Sequence, residues 1–249
     1  RYTISMKIFN HKIIHYKRFS AFFLMLSFFV SSMSFLIQKP HIADAAITDC
    51  TTEVGNMITN CSFENPAVLP AGYTPSGIWG YPTFFSGYTG LTGWSFITPG
   101  TGNVSMATGF AGSAQGSRVV DLSGVIDTSS GLNGEIYGSG IEQTVTGLTP
   151  GMQYSLKFYQ SHLTLSGVTY PSRINVVVDG TSLGVFSHTI TTAGDSVGGQ
   201  VWTQRAVTFI ATGTSAVIRF LNDVPTPAPA DGAGRPVDLI DNISLSTKP

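Results

Sequence analysis

The chain has 249 residues, of which 13 are basic and 14 acidic, and a formal net charge of −1. Six of the basic residues and one acid precede Ala46, so the remainder carries seven basic against thirteen acidic side chains, a charge of −6. An acidic, Lys-poor surface argues against nucleic acid and anionic membranes as partners, and a surface dominated by Ser, Thr and Gly suits neutral ligands such as sugars.

The N-terminus reads as a targeting segment. Lys7, Lys12, Lys17 and Arg18 form a basic region, Phe19 to Ile37 is almost uninterruptedly apolar, and Ala43-Asp44-Ala45 supplies a small-residue cleavage pattern. Residues 1–45 are therefore expected to be a signal peptide with upstream residues, Met6 being the initiator. The apolar run approaches the ~20 residues of a spanning helix, which is the competing reading; the prompt cleavage site favours removal. Residues 46–249 are then expected to form one domain, secreted to the extracellular space or cell surface and free of the membrane.

The exported part opens with Cys50, Cys61 and the segment Asn56 to Glu64, a short strand-like run ending in a carboxylate. Cys50 and Cys61 are the only cysteines and enter an oxidising compartment; a disulfide closing that short loop would contribute about 3 kcal/mol. Two thiols alone cannot make a zinc site. Pro70 to Trp94 follows, with Tyr73, Trp79, Tyr81, Phe84, Phe85, Tyr88 and Trp94 among glycines and no charged residue. That segment is too Gly-rich for a continuous core strand and too aromatic for an ordinary solvated loop.

From Gly140 onward the chain alternates at period two between turn signals. Over Gln153 to Gln160, Tyr154, Leu156 and Phe158 share one face. Similar runs are Arg173 to Val178, ended by Asp179-Gly180, Arg205 to Ala211, ended by Thr212-Gly213, and Ala216 to Leu221, with Ile218 and Phe220 facing inward. Val224 to Pro236 reads as a long Pro-rich loop, after which Ile243 and Leu245 give a closing strand its inward face. No apolar 3.6-residue period is sustained after Ala46, because Gly and Pro interrupt every stretch. The fold class is all-β, two antiparallel sheets packed face to face. If the first and last strands of such a sandwich meet, Glu64 and Asp241 come together, and two carboxylates so placed suggest a structural cation site.

These residues resemble a known group. Asn56 to Glu64 is similar to the opening of secreted galactose-binding-like β-sandwiches, followed as there by Gly-Trp, here Gly93-Trp94. Val119 to Gly124 resembles their V-D-L-x-G strand. Ile141 to Val145, with Leu148 to Tyr154, resembles their I-x-Q-T-V and L-x-P-G-x-x-Y pair, and Leu239 to Leu245 their closing L-D-N-V-S-L. The ordered set resembles bacterial choice-of-anchor family C proteins, related plant cell-wall proteins and carbohydrate-binding modules of one superfamily. Cys61 departs from the pattern, standing where it has Gly. The resemblance implies a galactose-binding-like jelly-roll sandwich with calcium as a structural cofactor, held by Glu64 and Asp241; calcium takes six to eight oxygens, which backbone carbonyls complete.

The function expected is non-catalytic binding of extracellular or cell-wall polysaccharide. A sugar site needs a flat aromatic platform and a few fixed polar groups: Trp79, Tyr81 and Tyr88 for the former, Gln143, Arg173 and Asn175 for the latter. Trp94 and Trp202 are read as core. Enzymatic chemistry has little to stand on. Glu135 and Glu142 lack any glycosidase signature, and His162 and His188, the only histidines after the leader, belong to no metal-spaced pair or triad. A surface or matrix adhesion protein with no sugar pocket is the alternative.

Overall fold

In the computed structural model, residues 47–67, 75–76, 81–84, 90–100, 102–108, 112–124, 137–163, 171–188, 200–223 and 237–248 are described. The expected leader, together with Trp79, Tyr88 and the stretch 224–236, lies outside them. Ile47 to Pro249 form one compact unit. Among the described residues there is no helix and there are twelve strands: β1 Pro75–Ser76, β2 Tyr81–Phe84, β3 Ser95–Ile97, β4 Val104–Thr108, β5 Arg118–Asp121, β6 Gly140–Thr146, β7 Gln153–Leu163, β8 Ser172–Val178, β9 Thr181–His188, β10 Thr203–Ile210, β11 Ser215–Asn222 and β12 Val237–Thr247.

They form two antiparallel sheets, one of seven strands in the order β1-β2-β4-β5-β12-β7-β10 and one of five in the order β3-β6-β11-β8-β9. The all-β jelly-roll sandwich expected from the sequence is what the chain adopts. Period two fixes the faces: Tyr154, Leu156 and Phe158 of β7, Ile218 and Phe220 of β11, and Ile243 and Leu245 of β12 are all buried. Their core is knit by aromatic contacts, Phe158 lying edge-on to Phe220 at 5.2 Å and to Phe186 at 5.4 Å between ring centroids. Asp179 and Gly180, at φ 48° and 80°, join β8 to β9 in two residues. Both central positions at positive φ give the hairpin turn whose twist matches the strands.

Two expectations need correction. Asn56 to Glu64 is not a strand but a series of turns, because Asn60 and Phe63 sit at φ 53° and 63°, outside the extended region. It meets β12 nonetheless: Met57 N–H donates to the Leu245 carbonyl at 2.9 Å and Ile243 N–H to that of Cys61 at 2.9 Å. Trp94 is in the core at 2% exposure, whereas Trp202 is half-buried and donates its indole N–H to the Gly112 carbonyl at 3.0 Å.

The outward side of the seven-stranded sheet is covered at its centre. Ser105, Asp121, Leu239 and Ser161 lie in one cross-strand row, none more than 5% exposed. The outward side of the five-stranded sheet is open and carries the Glu142–Arg219 ion pair at 2.8 Å.

Candidate functional site

Glu64 and Asp241 come from opposite ends of the described chain and converge on one loop. Glu64 leaves the turns after Cys61, Asp241 sits mid-β12, and residues 112–117 between β4 and β5 pass over both. Glu64 Oε1 accepts the N–H groups of Ser117 at 2.7 Å and Arg118 at 2.8 Å, and Oε2 accepts the Ser117 hydroxyl at 3.0 Å. Asp241 Oδ2 accepts from Gln115 N–H at 2.8 Å and Oδ1 from Asn242 N–H at 2.6 Å. Gly116, at φ +68°, permits this closeness, since a Cβ there would lie 2.4 Å from Glu64 Oε1.

The surroundings hold this geometry in place. The Cys50–Cys61 disulfide, with Cα atoms 6.1 Å apart, is present as expected and anchors both sides of the site. Cys50 N–H donates to Asn242 Oδ1 at 2.8 Å and to Gln115 Oε1 at 3.1 Å, and the Gln115 amide also reaches Asp49 Oδ1. Asn56 bridges the segments, its Nδ2 to the Cys50 carbonyl and its Oδ1 from Ile58 and Leu245 N–H. A cleft of about 600 Å³ beside the disulfide is lined in part by Glu53, Asn56, Asn60 and Glu64.

Electrostatically the site is short of positive charge. Asp241 is fully buried, and desolvation pushes its carboxyl well above the ordinary range. Backbone donors from Gln115, Asn242 and Ala114 counter this in part, while the charge of Glu64 adds to it. The Arg118 guanidinium is engaged by the carbonyls of Phe63, Pro66 and Ala67. All four carboxylate oxygens thus accept protein N–H or O–H donors, while Glu64 and Asp241 both reach the same loop. Among the described residues no group of three or more His, Cys, Asp or Glu could hold a metal ion.

Among the described residues assigned to a sugar site, Gln143 does not gather with Arg173 and Asn175. Gln143 faces inward on β6, 5% exposed, and its amide accepts from Thr59 N–H at 2.8 Å and donates to the Thr59 carbonyl at 2.9 Å. Arg173 and Asn175 lie on the opposite, outward side of the same sheet, Arg173 paired with Asp223 at 2.7 Å and Asn175 accepting the Ser182 hydroxyl at 2.6 Å. Tyr81 opens β2. Glu142 is paired with Arg219, and Glu135 lies outside the described residues.

The burial of Asp121 and the contact between His162 and His188 were not read from the sequence. Asp121 accepts from the hydroxyls of Ser105 at 2.9 Å and Ser123 at 2.5 Å, and burial raises its carboxyl to about 6 despite those donors. His162 and His188 meet with their Nδ1 atoms 2.6 Å apart. Continuing the inward face of β7 from Phe158 by twos reaches Gln160 and His162, the signal that could have located them.

No family model matches the chain. Over 201 residues, 81% of its length, it is 27% identical to halomucin of Haloquadratum walsbyi, and it spans 2% of that protein. Solved structures similar to it include the K1 cleaved adhesin domain of Lys-gingipain from Porphyromonas gingivalis W83, at TM-score 0.42 and 15% identity, covering 64% of this chain and 92% of that one. A family 35 carbohydrate-binding module from Paenibacillus barcinonensis gives TM-score 0.36 and 16% identity, covering 67% and 98%. A family 36 module in complex with calcium and xylotriose gives 0.30 and 12%, covering 47% and 84%.

Proposed function

We propose that this chain is an exported, non-catalytic carbohydrate-binding module for extracellular polysaccharide, a galactose-binding-like sandwich stabilised by calcium between Glu64 and Asp241. The observation that carries the reading is the convergence of those two carboxylates on the 112–117 loop, the pair that the resemblance to galactose-binding-like proteins singles out. In this role Glu64 and Asp241 hold the ion, and the N–H groups of Gln115, Ser117, Arg118 and Asn242 orient the carboxylate oxygens. The bound ion would neutralise two carboxylates held close together and so tie the opening segment to β12.

The uncharged aromatic segment Pro70 to Trp94 is the proposed glycan platform, with Trp79, Tyr81 and Tyr88 stacking on sugar faces. The centre of the seven-stranded sheet is covered, and Glu142, Arg219, Arg173 and Asn175 of the other sheet are paired, which favours loops over a sheet face for this contact. Arg173 and Asn175 on the open five-stranded face remain a secondary candidate. The test is binding of the purified protein to a panel of soluble and insoluble polysaccharides, with calcium and with chelator. Saturable binding that free sugar competes away, and that Trp79→Ala and Tyr81→Ala weaken in a folded protein, supports the proposal. Folded protein that binds no glycan would point instead to a surface adhesion role, and turnover of the glycans to an enzyme.

A further inference from the structure

The interior of the sandwich changes character toward one end. Tyr154, Leu156 and Phe158 on the inward face of β7 give way to Gln160 and His162, all buried. His162 lies opposite Asp238 of β12, and His188, at the end of β9, lies opposite Ser172 of β8. Gln160 Nε2 donates to the Ser172 hydroxyl at 3.1 Å and the Phe186 carbonyl at 3.1 Å, and Gln160 Oε1 accepts from Arg205 of β10 at 3.0 Å. A polar layer thus replaces the apolar core between the two sheets, bridged by Gln160 and by the two imidazoles.

We propose that His162 and His188 form a shared-proton clamp that joins the two sheets and stabilises the fold more at neutral pH than in acid. Nδ1 of each ring lies 2.6 Å from Nδ1 of the other, with ring centroids 4.8 Å apart. That separation is a hydrogen bond only if one Nδ1 carries a proton and the other offers its lone pair. The neutral pair meets this with one ring protonated at Nδ1 and the other at Nε2. Uptake of one proton gives an imidazolium donating to an imidazole, and the bridge survives. Uptake of a second sets N–H against N–H, so the folded clamp holds one proton fewer than two separated histidines.

The charged groups around the pair push in both directions. Asp238 of β12, across from His162, favours the first added proton. Arg205 of β10, whose guanidinium donates to the Ser187 carbonyl beside His188, opposes the second. Arg173 of β8 is neutralised by Asp223, just past β11. The sign follows from proton counting: the unfolded chain binds two protons below the ordinary histidine value of about 6.5, the folded chain one. Stability from the clamp is therefore present above that pH and lost below it, the unfolding constant rising about tenfold per unit of acidification.

The experiment compares urea unfolding of the wild-type protein and the His162→Gln/His188→Gln variant from pH 7.5 to 5.0. The ratio of their unfolding constants should change about thirtyfold over that range in favour of unfolding the wild type; parallel pH profiles overturn the clamp. Should the variant not fold, histidine ¹⁵N spectra of the wild type decide. One Nδ1-protonated and one Nε2-protonated ring at pH 7.5 supports the proposal, while two imidazolium rings in folded protein at pH 5 contradict it. Stabilisation by added zinc that requires both histidines would also overturn it, replacing the proton with a metal.

Discussion

Replacing Gly116 by Ala probes the seating of Glu64 most cleanly. Gly116 is exposed, so no cavity or core term enters. Its φ of +68° costs an Ala about 1 kcal/mol. The added Cβ would also lie 2.4 Å from Glu64 Oε1 and 2.7 Å from Cδ. The carboxylate, at the end of a flexible side chain, must then leave its bonds to Ser117 and Arg118. Buried charge-assisted bonds would be worth about 1.5–3 kcal/mol each, but Glu64 is half-buried and water replaces part of the loss, so about 1–2 kcal/mol in total is expected. Gly55→Ala is the control, because Gly55 has φ +77° with nothing within 4 Å of a Cβ. Urea unfolding should give a loss of about 2–3 kcal/mol for Gly116→Ala against about 1 for Gly55→Ala. In a Glu64→Ala background the two losses should become equal. Equal losses in the presence of Glu64 would refute the seating described.

Three further expectations concern other residues. Changing Cys50 and Cys61 together to Ser should cost about 3 kcal/mol in urea unfolding, given the short loop that the disulfide closes; an unchanged midpoint would mean the turns hold without it. Gln143→Leu should cost about 2 kcal/mol by removing both bonds to the Thr59 backbone and leave glycan affinity of the folded protein intact, whereas weakened binding at unchanged stability would return Gln143 to a ligand site. Asp121 has a carboxyl raised to about 6 from 3.8, so the folded state binds its proton more tightly than the unfolded one. That contribution is full below 3.8 and lost as pH rises through about 6. Relative to Asp121→Asn, the wild type should therefore gain up to about 3 kcal/mol between pH 7 and pH 4, and parallel stability profiles would contradict the assignment.

Period two made β7, β8, β10, β11 and the end of β12 legible; in β7, β8 and β11 the inward face is buried. β9 escaped notice because it is an edge strand whose faces are both partly open, so Thr181 to His188 does not alternate cleanly. The opening segment misled for a different reason: apolar residues spaced like a strand can also be buried from turns, and the positive φ of Asn60 and Phe63 has no hydrophobic signature. Glu64 and Asp241 reach one loop because the opening segment bonds to β12 through Met57 and Ile243, a contact that needed only the opening and closing segments to meet. Gln143 looked like a ligand because a polar residue on an inward face has no visible partner in sequence; its partner, Thr59, is 84 residues away. The histidines illustrate the same limit, since 26 residues separate two rings that topology brings into contact.

The most direct test of the cation cradle is thermal unfolding of the purified protein in calcium and in chelator. With calcium at about a hundred times its dissociation constant the stabilisation is about 2.7 kcal/mol, a rise in Tm of roughly 5–10 °C for a domain of this size. The account predicts that rise in the wild type and its absence in Asp241→Asn and Glu64→Gln. A wild-type Tm that ignores both calcium and chelator would contradict it.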